Sequence, residues 1–134
     1  MTLLVPNTGE GRILNNMVNK VAPQDLSLKL FKSNTTPAEG DTAGTYTEAD
    51  FTGYTDADLV AGNWTITEGA PSNATAAQQT FTSSADQSTQ SIYGYYLVQT
   101  SSGILMWAER FSDGPYAIAN NGDAIKVTAI ITLD

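Results

Sequence analysis

The sequence predicts an all-β fold, an antiparallel β-sandwich of jelly-roll type with a short N-terminal helix. Three observations carry that expectation. Apolar and polar residues alternate in a succession of short segments after residue 58, glycine-bearing turns separate the later segments, and a single long connection spans residues 33–58. An open barrel is the alternative. The expected organisation is an N-terminal arm and short amphipathic helix over residues 1–24, followed by a β-sandwich domain over residues 25–134.

The elements follow in chain order. Ile13, Leu14, Met17, Val18 and Val21 recur at the spacing of one helical face, with Arg12, Asn15, Asn16, Asn19 and Lys20 opposite and Pro23 as the stop. This pattern predicts a helix over residues 10–22. Leu26, Leu28 and Leu30 then alternate with Ser27, Lys29 and Phe31, the two-residue period of a half-buried strand. Residues 33–58 lose that periodicity; Tyr46, Phe51 and Tyr54 are expected to pin the excursion to the body. Thr47 followed by Asp50 resembles a capping box able to start one helical turn.

Strand signals then come in succession. They run over Leu59 to Thr67, Gln78 to Ser84, Ile92 to Thr100, Ile104 to Phe111 and Ala124 to Leu133, with residues 83–91 read as a surface loop. Ser101-Ser102-Gly103 and Asn120-Asn121-Gly122-Asp123 are hairpin signals, because a glycine there supplies a positive φ. In the last segment Ile125, Val127, Ala129, Ile131 and Leu133 share one face. The Ile92–Thr100 segment is apolar on both faces, with Tyr93, Tyr95 and Leu97 on one and Ile92, Tyr96 and Val98 on the other. Its second face needs a cover, for which the helix is the expected element and a neighbouring subunit the alternative.

Composition narrows the function. A chain of 134 residues buries roughly 68% of the surface its unfolded form exposes, enough for one core. It has no cysteine and no histidine, which removes thiolate nucleophiles, disulfides, Cys/His zinc sites and the usual proton shuttle near neutral pH. No stretch approaches the roughly 20 apolar residues of a spanning helix, and Met1 to Val5 carries no basic residue; the expectation is synthesis in the cytoplasm. A net charge of −8 argues against nucleic-acid or membrane-surface partners. The charge is uneven. Residues 1–33 hold four bases against two acids, a net of +2, and residues 34–134 hold two bases against twelve acids, a net of −10.

The acids Glu39, Asp41, Glu48, Asp50, Asp56 and Asp58 crowd the long excursion. A glycosidase requires two carboxylates facing one another in a cleft, and sequence spacing supplies no such pairing. Asp56-Ala57-Asp58 lacks the remaining positions of a calcium loop. Neither G-x-S-x-G nor S-x-x-K occurs, and Gly9-Glu10-Gly11 lacks the last glycine of a dinucleotide fingerprint. Trp64 and Trp107 are possible sugar-stacking platforms, with packing the commoner use of such residues. The three Asn-x-Thr triplets at Asn34, Asn63 and Asn73 read as chance matches in a threonine-rich chain. The expectation is a non-enzyme with no catalytic, cofactor or metal site.

Three stretches add a resemblance. T-P-A-E-G-D-T-A-G-T-Y-T-E-A-D-F-T-G-Y (Thr36–Tyr54), Q-Q-T-F-T-S-S-A (Gln78–Ala85) and Y-G-Y-Y-L-V-Q-T-S-S-G-I-L-M-W-A-E-R-F-S-D-G-P-Y (Tyr93–Tyr116) resemble a family of small tailed-bacteriophage virion proteins encoded among head genes. The similarity covers most of the chain from Leu26 onward and rests on no catalytic signature. It implies a capsid decoration, or cement, protein: a sandwich assembled as a homotrimer on the head surface of the virion, with the major capsid protein as partner. A tail- or fibre-associated carbohydrate-binding module is the alternative. The positively biased segment Gly9–Lys32 is then the expected adhesive part, and Arg12, Ile13, Met17, Lys20, Tyr93 and Tyr95 are the expected interface residues.

Overall fold

A computed structural model describes residues 3–133. One helix, α1 (Asn7–Met17), precedes eleven strands. These are β1 (Leu26–Phe31), β2 (Ala57–Leu59), β3 (Trp64–Thr67), β4 (Ser72–Ala76), β5 (Gln79–Thr82), β6 (Gln90–Ile92), β7 (Gly94–Gln99), β8 (Leu105–Arg110), β9 (Tyr116–Ile118), β10 (Ala124–Val127) and β11 (Ile130–Leu133). All pairings are antiparallel. They build a four-stranded sheet in the order β2-β1-β7-β8, a three-stranded sheet β11-β4-β3, and the pairs β10-β5 and β6-β9.

Two of these groupings are continuous ribbons with an irregularity. β10 and β11 run alongside β5 and β4 in turn, and where the partner changes three residues, 76–78, face two, 128–129. An unequal count of this kind bends a strand pair. The alternation expected for 124–133 therefore survives the switch of hydrogen-bonding partner, with Ile131 packing against the main core that holds Ile125, Val127 and Ala129. Likewise β6 and β7 are one segment divided at Tyr93, whose N–H donates to the Phe31 carbonyl and whose carbonyl accepts from Phe111.

That division corrects the facing of the Ile92–Thr100 segment. Ile92 lies in the main core with Tyr95 and Leu97, whereas Tyr93 packs with Tyr96 and Val98. The step in parity occurs at Gly94, where a Cβ would meet the Glu109 carbonyl and the Phe31 ring. Nor does the helix cover the second face. Phe31, Tyr46, Tyr96, Val98, Leu105 and Ala108 form a second cluster, with Tyr46 from the long excursion lying 4.9 Å from the Phe31 ring and 5.1 Å from that of Tyr96. β1 is consequently buried on both faces, because it sits between β2 and β7 with the excursion across it.

The main core lies between Leu26, Leu28, Leu30, Tyr95, Leu97 and Trp107 of the four-stranded sheet and Phe81, Ile92, Ile118, Ile125 and Val127 of the others. Phe51 and Tyr54 reach it from the excursion as expected, with Tyr54 stacking 5.7 Å from Phe81. No helical turn starts at Thr47. A one-turn 3-10 segment sits instead at Ala43–Thr45, where the Thr45 hydroxyl accepts from the Thr42 N–H at 3.1 Å, and Glu48 bridges to Phe31 as extended chain. The Ser101–Gly103 turn joins β7 to β8 with Gly103 at φ 69°, as its sequence requires. The Asn120–Asp123 turn does not close a hairpin: Gly122 has φ 92°, but the strands on either side pair with β6 and β5 respectively.

α1 starts three residues before the expected position and ends five short of it. Asn19 adopts the left-handed conformation at φ 57°, Asn19 N–H donates to Asn16 O at 3.1 Å, and Lys20 N–H donates to Asn15 O at 2.8 Å. These two bonds are a Schellman termination. The helix therefore stops at an asparagine tolerant of positive φ, and Pro23 lies beyond it. The arm before α1 is integrated with the body, since Leu4 and Ala108 exchange both backbone hydrogen bonds.

Candidate functional site

α1 is mounted with its polar side inward. Gly9 lies so close to β8 that a Cβ there would stand 2.4 Å from the Met106 carbonyl oxygen, and the Thr8 hydroxyl donates to Leu105 O at 3.2 Å. Arg12, Asn15 and Asn16 are half-buried, and the Asn16 side-chain oxygen is enclosed without a hydrogen-bond partner among the described residues. The apolar stripe faces solvent: Ile13 is 38% exposed, Leu14 58%, Met17 74% and Val18 62%. A surface helix ordinarily turns such a stripe to the core. Here the stripe forms an apolar ridge, with the exposed Glu10 one turn before it and the exposed Lys20 just past the helix end.

Of the six expected interface residues, Ile13 and Met17 belong to this ridge, Arg12 is half-buried beside it and Lys20 is exposed beyond its end; the aromatic pair does not belong to it. Tyr95 is 4% exposed, and its hydroxyl donates to Glu109 at 2.6 Å. Tyr93 is half-buried beneath Arg110, whose guanidinium carbon lies 5.0 Å from its ring centroid. Leu14 and Val18 are ridge residues missing from the expected set. Their helical spacing with Ile13 and Met17 is the signal that groups them with the ridge.

The positive bias of residues 1–33 is not all available to a partner. Lys29 Nζ lies 3.0 Å from Glu48 and 3.5 Å from Asp56, and Lys32 Nζ lies 2.6 Å from Asp50. Burial alone would lower the Lys29 ammonium, but its hydrogen bond and charge contact with Glu48, joined by Asp56, hold it above its usual range. The Lys32 hydrogen bond, with help from Gln90, lowers the Asp50 carboxyl. Half of the N-terminal cations thus anchor the acidic excursion to β1 and its continuation.

The acids of the excursion are likewise occupied. Asp41 accepts from the Tyr46 hydroxyl at 2.7 Å and from the Ala38 N–H at 2.9 Å. Glu48 accepts from the Tyr54 hydroxyl at 3.1 Å, and Asp58 accepts from Ser27 at 3.2 Å. Among the described residues no three acids are grouped as metal ligands would be. Burial raises the phenols of Tyr46, Tyr54, Tyr95 and Tyr96 well above the usual tyrosine range, and neighbouring carboxylates add to the effect.

The two tryptophans differ. Trp107 is 8% exposed inside the main core, so it offers no stacking surface. Trp64 is half-buried and walls an open groove of about 660 Å³, lined also by Gln24, Asp25, Leu26, Leu59 and Ser101. Among the described residues no helix is long and apolar enough to cross a membrane. No protein-family model matches the chain, and no curated protein matches it.

Proposed function

We propose that this chain is a non-catalytic capsid decoration protein, a homotrimer that binds the outside of a virion head and stabilises it through contacts with the major capsid protein. The observation that carries a binding role is the outward apolar ridge of α1, which costs hydration free energy while it stays wet and regains it under a partner. The virion assignment rests on the resemblance of residues 36–54, 78–85 and 93–116 to phage head proteins. The jelly-roll connection of the strands belongs to this proposal as well. Arg12 and Lys20 suit an acidic lattice of coat subunits, steering the encounter while the ridge supplies affinity.

The adhesive part is narrower than residues 9–32, because β1 is central to a sheet and Lys29 and Lys32 are paired internally. Truncation would also remove Leu4 and Gly9 from β8, so substitution is the cleaner test. The double variant Leu14→Asp/Met17→Asp should keep its thermal midpoint and fail to co-sediment with undecorated shells. Full retention of binding would falsify the assignment.

The alternative, a tail- or fibre-associated carbohydrate-binding β-sandwich module, has one observation in its favour: the half-buried Trp64 beside the polar rim of its groove. A glycan array separates the two readings, since decoration by protein contacts gives no glycan signal.

A further inference from the structure

The sheet β11-β4-β3 continues past the body that covers its foot. On one face the register aligns Trp64 with Ala76, then Ile66 with Ala74 and Ile131, then Ser72 with Leu133. The first of these rows is in or against the main core. The last is not. Ile66 is 66% exposed and Leu133 75%, and with Ala74 and Ile131 they line a shallow depression of about 120 Å³. The opposite face carries Thr65, Thr67, Asn73, Thr75 and Thr132 together with Ile130, which is 49% exposed, so it is mainly hydroxyl and amide with one apolar side chain, and neither side is closed at its tip.

We infer that this apolar face is the contact between copies of the chain. Charge selects the occupant. Each copy carries −8, and copies brought together over most of their surface would set acid against acid. None of the thirteen residues of β3, β4 and β11 is charged, so here two copies meet without that repulsion. An apolar surface flanked by hydroxyl and amide groups, with Glu68 as the acid in the turn after β3, is complementary to itself and offers little counter-charge to a basic or acidic partner. The edges of the sheet point the same way. β3 (W-T-I-T) and β11 (I-I-T-L) contain no lysine, proline or charge of the kind that protects a solitary edge strand, which suits strands shielded by a neighbour.

This inference rests on the self-association proposed above and names its surface, distinct from the α1 ridge. Native mass spectrometry and sedimentation of the purified chain, without shells, test it. Ile66→Asp and Leu133→Asp should each weaken self-association about 30-fold or more, the size of an interface hot spot. Both side chains are exposed, so circular dichroism and the thermal midpoint should stay at wild-type values. Thr132→Asp, on the other face of β11, should leave assembly intact. A wild-type chain that is monomeric throughout overturns both the self-association and its surface. Assembly that persists in Ile66→Asp and Leu133→Asp overturns the surface alone, as does a loss of shell binding with assembly unchanged.

Discussion

Gly94 shows how much one missing methyl group decides. A Cβ at this position would stand 2.1 Å from the Glu109 carbonyl oxygen and 2.5 Å from the Phe31 ring. The first neighbour is backbone of the paired strand β8 and cannot turn aside. Gly94→Ala should therefore destabilise the fold by about 1–3 kcal/mol or more, the cost of overpacking a filled interior. A urea midpoint equal to that of the wild type would remove this account of the step between Ile92 and Tyr95. Single side chains also explain what was hard to read. Tyr95 and Tyr93 look alike in a strand pattern, yet one donates to Glu109 within the core and the other lies under Arg110. Alternation assigns a face only while the strand stays regular.

At the scale of elements, the long excursion is the cover that the helix was expected to be. Tyr46 closes the second cluster, Phe51 enters the main core, and Lys29 and Lys32 hold the acids between them. Tyr46→Ala should cost about 3–5 kcal/mol, as large aromatic truncations do, and should speed proteolysis within residues 33–58; wild-type stability would show that the excursion is not holding the sheet. The class of the fold was legible because strand alternation and turn glycines are local signals: β1, β5, β7, β8 and β10 fall within expected segments. β4 (S-N-A-T-A) and β9 (Y-A-I) were not legible, since the first is polar and the second only three residues long, and each gains its order from its partners, β3 and β11 for the one and β6 for the other. Half of the candidate site was readable for the same reason. Helical spacing located the ridge of Ile13 and Met17, but the direction it faces depends on Gly9 meeting β8, and that is a tertiary fact.

For the whole molecule, the four buried phenols set an alkaline limit. Tyr46, Tyr54, Tyr95 and Tyr96 are raised in the folded state, whereas the unfolded chain ionises its tyrosines near pH 10. Their contribution is complete below about pH 10 and is lost as pH rises through the folded values, and the raised Lys29 acts with the same sign. Stability followed by urea midpoint should be level through neutral pH and fall above about 10 together with tyrosinate absorbance; ionisation of all tyrosines without loss of structure would contradict it. One further consequence follows from the pairing of β1. Its register runs from Leu26 opposite Gln99 to Phe31 opposite Gly94, so the central strand of the main sheet waits for a partner made much later in translation. Until that partner leaves the ribosome, the nascent chain holds Leu26, Leu28, Leu30 and Phe31 with no finished sheet to join. Folding should be slow for its length, and the cell's chaperones have their longest opportunity at this strand.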